Sequence, residues 1–128
     1  MRTTTVLLAA VALTLSACGG SKTPKPTAPS GAPAAAAART AQAYVDAYAK
    51  RRPKRICALL AKTVRAQLTA KGSCVATVRS TLGAAGTAPK IAGATRQGQT
   101  AIATISGSPR QITLIRQGAA WKVSNGGN

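Results

Sequence analysis

The chain has no histidine, no glutamate and no phenylalanine, and Asp46 is its one carboxylate side chain. Paired-carboxylate glycoside hydrolysis, histidine bases, Ser-His-Asp relays and carboxylate-rich metal cages therefore all lack their parts. No Gly-x-Ser-x-Gly elbow, Ser-x-x-Lys dyad or phosphate-binding glycine loop occurs either. Aromatic residues are confined to Tyr44, Tyr48 and Trp121, so any core must be built from Ala, Val, Ile and Leu. With 128 residues there is room for one small domain with a thin core.

What is abundant is positive charge: 18 Lys and Arg against one acid, a formal +17. Such a field attracts anions. It begins at Arg2, which precedes an apolar run from Val6 to Leu15 closed by Ser16, Ala17 and Cys18. A short basic start, an apolar stretch and a small-residue close form an export signal. The run is about half of the roughly 20 residues that a membrane-spanning helix needs.

Leu15-Ser16-Ala17-Cys18 resembles the lipobox of bacterial lipoproteins. The resemblance implies a signal peptide over residues 1–17, cleavage before Cys18, and acylation of Cys18, with palmitate among the expected acyl chains. An ordinary secretory signal cleaved near Ala17 is the other reading. Residues 18–34 then form a Gly, Ser, Ala and Pro linker in which Pro24, Pro26, Pro29 and Pro33 favour extended geometry at about 3.1 Å per residue. Lys22 and Lys25 suit anionic headgroups and plain solubility equally.

The folded domain is expected over residues 35–124, with a polar tail at 125–128. The Ala34–Ala38 run opens a helix continuing to Lys50, in which Ala41, Tyr44, Val45 and Tyr48 share one face. Pro53 starts a second helix to about Lys62, burying Ile56, Leu59 and Leu60; continuation through Val64 and Leu68 after a kink or turn is left open. Lys71-Gly72 is a stop, and Ser73 caps a third helix carrying Val75, Val78 and Leu82. Four β-branched runs follow, Lys90–Arg96, Thr100–Ser106, Arg110–Gln117 and Ala120–Ser124, divided by Gly98, Gly107-Ser108-Pro109 and Gly118. Helices first and hairpin-linked strands afterwards give an α+β class: three N-terminal helices packed on a four-stranded antiparallel meander.

This order, the Tyr-bearing first helix, Ile56-Cys57-Ala58-Leu59-Leu60, Ile112-Thr113-Leu114-Ile115 and Trp121-Lys122-Val123 together resemble small actinobacterial lipoproteins of the nuclear-transport-factor-two-like (cystatin-like α+β) superfamily. The resemblance implies a cone-like sheet whose interior, lined by Tyr44, Tyr48, Ile102, Leu114 and Trp121, could hold a small apolar ligand. It speaks for a fold more than for an activity.

With Cys18 claimed by lipid, Cys57 and Cys74 remain, and in an oxidising compartment a structural disulfide between them is expected. They lack the Cys-x-x-Cys spacing of a redox pair. No histidine or third folded cysteine completes a tetrahedral metal site.

Lys50, Arg51, Arg52, Lys54 and Arg55 cluster at the junction of the first two helices, where they serve either as a solvated helix end or as an anion-binding surface. Removal of Arg2 with the signal lowers the net charge by one to +16. Asp46 lies 200° from Tyr44 and Tyr48 on a helix, which sets it on the face opposite to theirs, four residues before Lys50. That placement argues against an isomerase-like base beside the tyrosines, a degenerate isomerase-like enzyme being the least favoured reading.

The expectation is a non-catalytic lipoprotein without cofactor or metal. It would be anchored in the cell membrane, exposed on the extracytoplasmic side, and directed at an anionic cell-wall polymer or an envelope protein rather than at nucleic acid. The alternative is a carrier of a small apolar ligand.

Overall fold

The computed structural model describes residues 32–127, so Cys18, the signal and most of the linker lie outside the described residues. Within that span the order is α1 (Ala32–Ala49), α2 (Pro53–Leu59), α3 (Lys62–Thr69), α4 (Cys74–Thr81), β1 (Ile91–Gln97), β2 (Thr100–Ile105), β3 (Gln111–Gln117) and β4 (Ala120–Asn125). The four strands form one antiparallel sheet in the order β1-β2-β3-β4. The class is thus α+β with an open antiparallel sheet, and among the described residues the helices number four rather than the expected three.

α1 begins at Ala32, inside the stretch read as linker. Pro33 fits there because the first turn of a helix has no use for its missing N–H. Pro53 likewise opens α2. The Ser73 hydroxyl caps α4 by accepting from the Ala76 N–H at 3.1 Å.

The extra helix comes from a break at Leu60 and Ala61, where no Gly or Pro marks one. Both residues are extended. Ala61 N–H donates to Val123 C=O at 2.8 Å, and Leu60 bridges Val123 in parallel. Continuing the helix would forfeit this contact with the β4 edge. Lys122 Nζ secures the same junction by donating to the Ala58 carbonyl at the end of α2, at 2.7 Å.

α1 packs on one face of the sheet and α2 reaches β4, while α4 packs on α2 and α3. Ala37 and Ala41 of α1 share a buried cluster with Ala94, Ala101, Ala103, Ile112, Leu114, Trp121 and Val123. Facing methyl side chains take little volume, so Ala37 and Ala41 fit against the alanines of β1 and β2, with Tyr44 and Trp121 the aromatic members of the cluster. Ile56, Ile112, Leu114 and Val123 are its largest fully buried side chains.

Register decides which residues can meet. Leu114 pairs with Ala101 and Val123, all buried, whereas Ile102 pairs with Thr95 and Thr113 on the opposite face. Ile102 therefore cannot share an interior with Leu114.

Cys57 and Cys74 form a disulfide across 17 residues of sequence, with their Cα atoms 6.2 Å apart. It ties α2 to the first residue of α4 and encloses α3, which buries no residue of its own.

Candidate functional site

Two features stand out on this scaffold: a tyrosine-floored cleft at the C-terminal half of α1, and a basic turn beyond it. In the cleft, Tyr44 and Tyr48 occupy successive turns of α1 and their rings meet edge to face with centroids 5.0 Å apart. The opposite wall is the Gly83–Pro89 segment, held over α1 by a hydrogen bond from Gly86 N–H to Ala49 C=O at 3.1 Å. Gln42 adds two ties, donating to Pro89 C=O at 3.1 Å and accepting from Ile91 N–H at 2.8 Å. The cleft is open to solvent, its volume is about 390 Å³, and Arg110 is the one charged residue along its walls.

Tyr44 is buried, and Gly126 passes so close that a Cβ there would collide with the Tyr44 hydroxyl. Burial pushes the Tyr44 phenol far above its ordinary range, and the neighbouring Tyr48 hydroxyl adds to the rise. Tyr44 is therefore a neutral hydroxyl rather than a phenolate base. Tyr48 is 38% exposed, the one large apolar side chain so open among the described residues.

Of the five residues expected to line one cone, only Tyr44 and Tyr48 line a cleft together, while Tyr44, Leu114 and Trp121 share the buried core. Leu114 is sealed in the core and Ile102 lies on the far face of the sheet. Trp121 borders a separate concavity with Arg39, Arg55 and Leu59. Large apolar residues attract an inward assignment, but in β2 the methyl groups of Ala101 and Ala103 take the inner positions beneath α1. The Gly83–Pro89 wall went unread because its position depends on backbone contacts with α1 and on Gln42.

The basic run is divided by the α1–α2 turn. Lys50, Arg52 and Arg55 border a shallow concavity with Asp46, while Arg51 borders another with Pro53, Arg79 and Leu82. Lys54 borders neither of these two concavities and is exposed on α2. The Asp46 carboxylate, expected beside Lys50, accepts instead from the Gln42 amide at 3.0 Å. It stands apart from the tyrosine cleft. Among the described residues, no three His, Cys, Asp or Glu side chains cluster as a metal site, and no helix is long and apolar enough to cross a membrane.

Comparison with protein-family models, with characterised proteins and with solved structures finds no match to this chain in any of the three.

Proposed function

We propose that this protein is a membrane-anchored lipoprotein of the cell envelope whose folded body is a non-catalytic module for anionic envelope polymer. The observation that carries the reading is a positive surface with almost nothing to neutralise it. All Lys and Arg except Arg2, Lys22 and Lys25 fall within the described residues, none of them is buried, and the single carboxylate is engaged by Gln42. Leu15-Ser16-Ala17-Cys18 supports the anchor, and the Cys57–Cys74 disulfide suits an oxidising compartment. The order of helices before a meander supports the finer likeness to a nuclear-transport-factor-two-like domain with a cone-like sheet.

The full chain should bind isolated cell wall at low salt and be released as salt rises, because the screening length falls from about 10 Å at 0.1 M to about 3 Å at 1 M. Retention unchanged at 1 M salt would refute an electrostatic module. Radioactive fatty acid should label the wild type and not Cys18→Ser; equal labelling of both would refute the anchor.

A second reading, a carrier of a small ligand, is favoured by the cleft between Tyr48 and the Gly83–Pro89 segment. Its 390 Å³ falls in the usual range for small-molecule sites, roughly 300–1,000 Å³. Arg110 would select an acid with an apolar body. Small apolar acids should raise Tm of the wild type and have less effect on Tyr48→Ala or Arg110→Gln; no shift with any such acid would remove this reading.

A further inference from the structure

α1 ends in a tight reversal. Arg52 N–H reaches back to Ala47 C=O at 2.8 Å, and Arg51 N–H to Tyr48 C=O at 3.0 Å. This double closure requires a left-handed residue at position 51, the place where helices most often carry glycine. Arg51 has φ 51°, whereas the other positive-φ positions among the described residues are glycines: Gly72, Gly98, Gly107, Gly118 and Gly127. A residue with a Cβ is strained in that conformation and glycine is not. The chain thus keeps an arginine where the backbone favours none.

The reversal also separates Arg51 from its neighbours in sequence. Lys50, Arg52 and Arg55 share their concavity with Asp46, which weakens the pull on an anion there. Arg51 shares a concavity of about 340 Å³ with Arg79, from the last turn of α4, between the apolar flanks of Pro53 and Leu82. No acid borders it.

Resting on the polymer-binding reading above, we infer that Arg51 and Arg79 form a phosphate-binding site, the point at which the basic surface grips a phosphodiester group. The chemistry of the pair suits phosphate. A phosphodiester presents two free oxygens on a tetrahedral centre, and two guanidinium forks, one from the α1–α2 turn and one from α4, can donate to them from different sides. Pro53 restricts the backbone beside Arg51, and both arginines are exposed and free to meet a ligand from solvent. Helix C-termini also attract cations, but that role alone gives no reason to retain a strained backbone.

The test uses the full-length protein with two probes that both present anionic tetrahedral phosphate, a soluble inorganic polyphosphate and vesicles containing anionic phospholipid. Arg51→Gly should raise Tm by about 4 °C, since glycine relieves the left-handed position, while weakening polyphosphate binding. Arg51→Gly/Arg79→Gln should weaken it about tenfold, as expected for losing charge-assisted hydrogen bonds. The charge-matched control Lys62→Gln/Lys71→Gln should weaken it by less than half as much. Arg51→Lys/Arg79→Lys keeps the charge but removes the forks, and should lie closer to the first pair than to wild type. Polyphosphate binding that exceeds vesicle binding assigns the site to free polymer, and the reverse to headgroups; either order supports a phosphate site.

Equal weakening by the two charge-neutralised pairs overturns the site while leaving the diffuse polyanion reading intact. Failure of the wild type to bind either probe at low salt overturns both.

Discussion

Loss of the Cys57–Cys74 disulfide should be the most damaging conservative change to this fold. The bridge closes 17 residues of sequence, and the chain-entropy relation gives about 3 kcal/mol at 25 °C for a loop of that length. The structure offers little to replace it. The enclosed α3 buries no residue and leans on half-buried Val64 and Leu68. Three polar ties also hold the loop: Thr77 Oγ1 to Leu68 C=O, Lys62 N–H to Gln117 Oε1, and Ala61 N–H to Val123 C=O.

In a domain of this size 1 kcal/mol corresponds to about 4–8 °C in Tm, so Cys57→Ser/Cys74→Ser should melt at least about 12 °C below wild type. Trp121 is the single tryptophan and is buried in β4. Its fluorescence reports the sheet, while far-UV dichroism reports the helices. Amide exchange should accelerate first across Lys62–Thr69, before the β-strands open. A double variant melting within 3 °C of wild type would refute the reasoning, as would unchanged exchange in α3.

Three further changes test the local geometry. Gly126→Ala should cost about 1–2 kcal/mol by denaturant titration because the new methyl meets Tyr44, and less than half of that in a Tyr44→Phe background, where the hydroxyl is gone. Ser73→Ala should cost about 1 kcal/mol through loss of the α4 cap, and Ser73→Gly only a few tenths. Burial raises the Tyr44 pKa in the folded state, so above the unfolded phenol value of about 10 the unfolded chain loses a proton that the native chain keeps. Stability should then fall with rising pH from about pH 10 upward, and Tyr44→Phe should lessen the fall relative to wild type.

Much of the fold was legible because short-range chemistry specifies it. Pro53, Ser73 and the turn glycines Gly98, Gly107 and Gly118 set boundaries that the structure reproduces within a residue or two. The break at Leu60 was not legible as a certainty, since its cause is a hydrogen bond to Val123, 62 positions away from Ala61. The placement of Ile102 escaped for a related reason: in β2, alanines face a closely apposed helix, so side-chain size misstates which face is buried. The basic cluster was legible as a run of five charges. Its division needed the left-handed backbone at Arg51, an unusual conformation for an arginine.

The Leu60–Ala61 contact with Val123 has a consequence for how copies of this molecule behave when crowded. It occupies backbone groups along one lateral rim of the sheet. At the other rim, the irregularity between Ile91 and Gly93 and the capture of Ile91 N–H by Gln42 interrupt β1. Strand addition by a neighbouring chain is thus obstructed at Val123 on one side and at Ile91 on the other. At high local density these interruptions, together with the mutual repulsion of like-charged domains, should disfavour fibril nucleation.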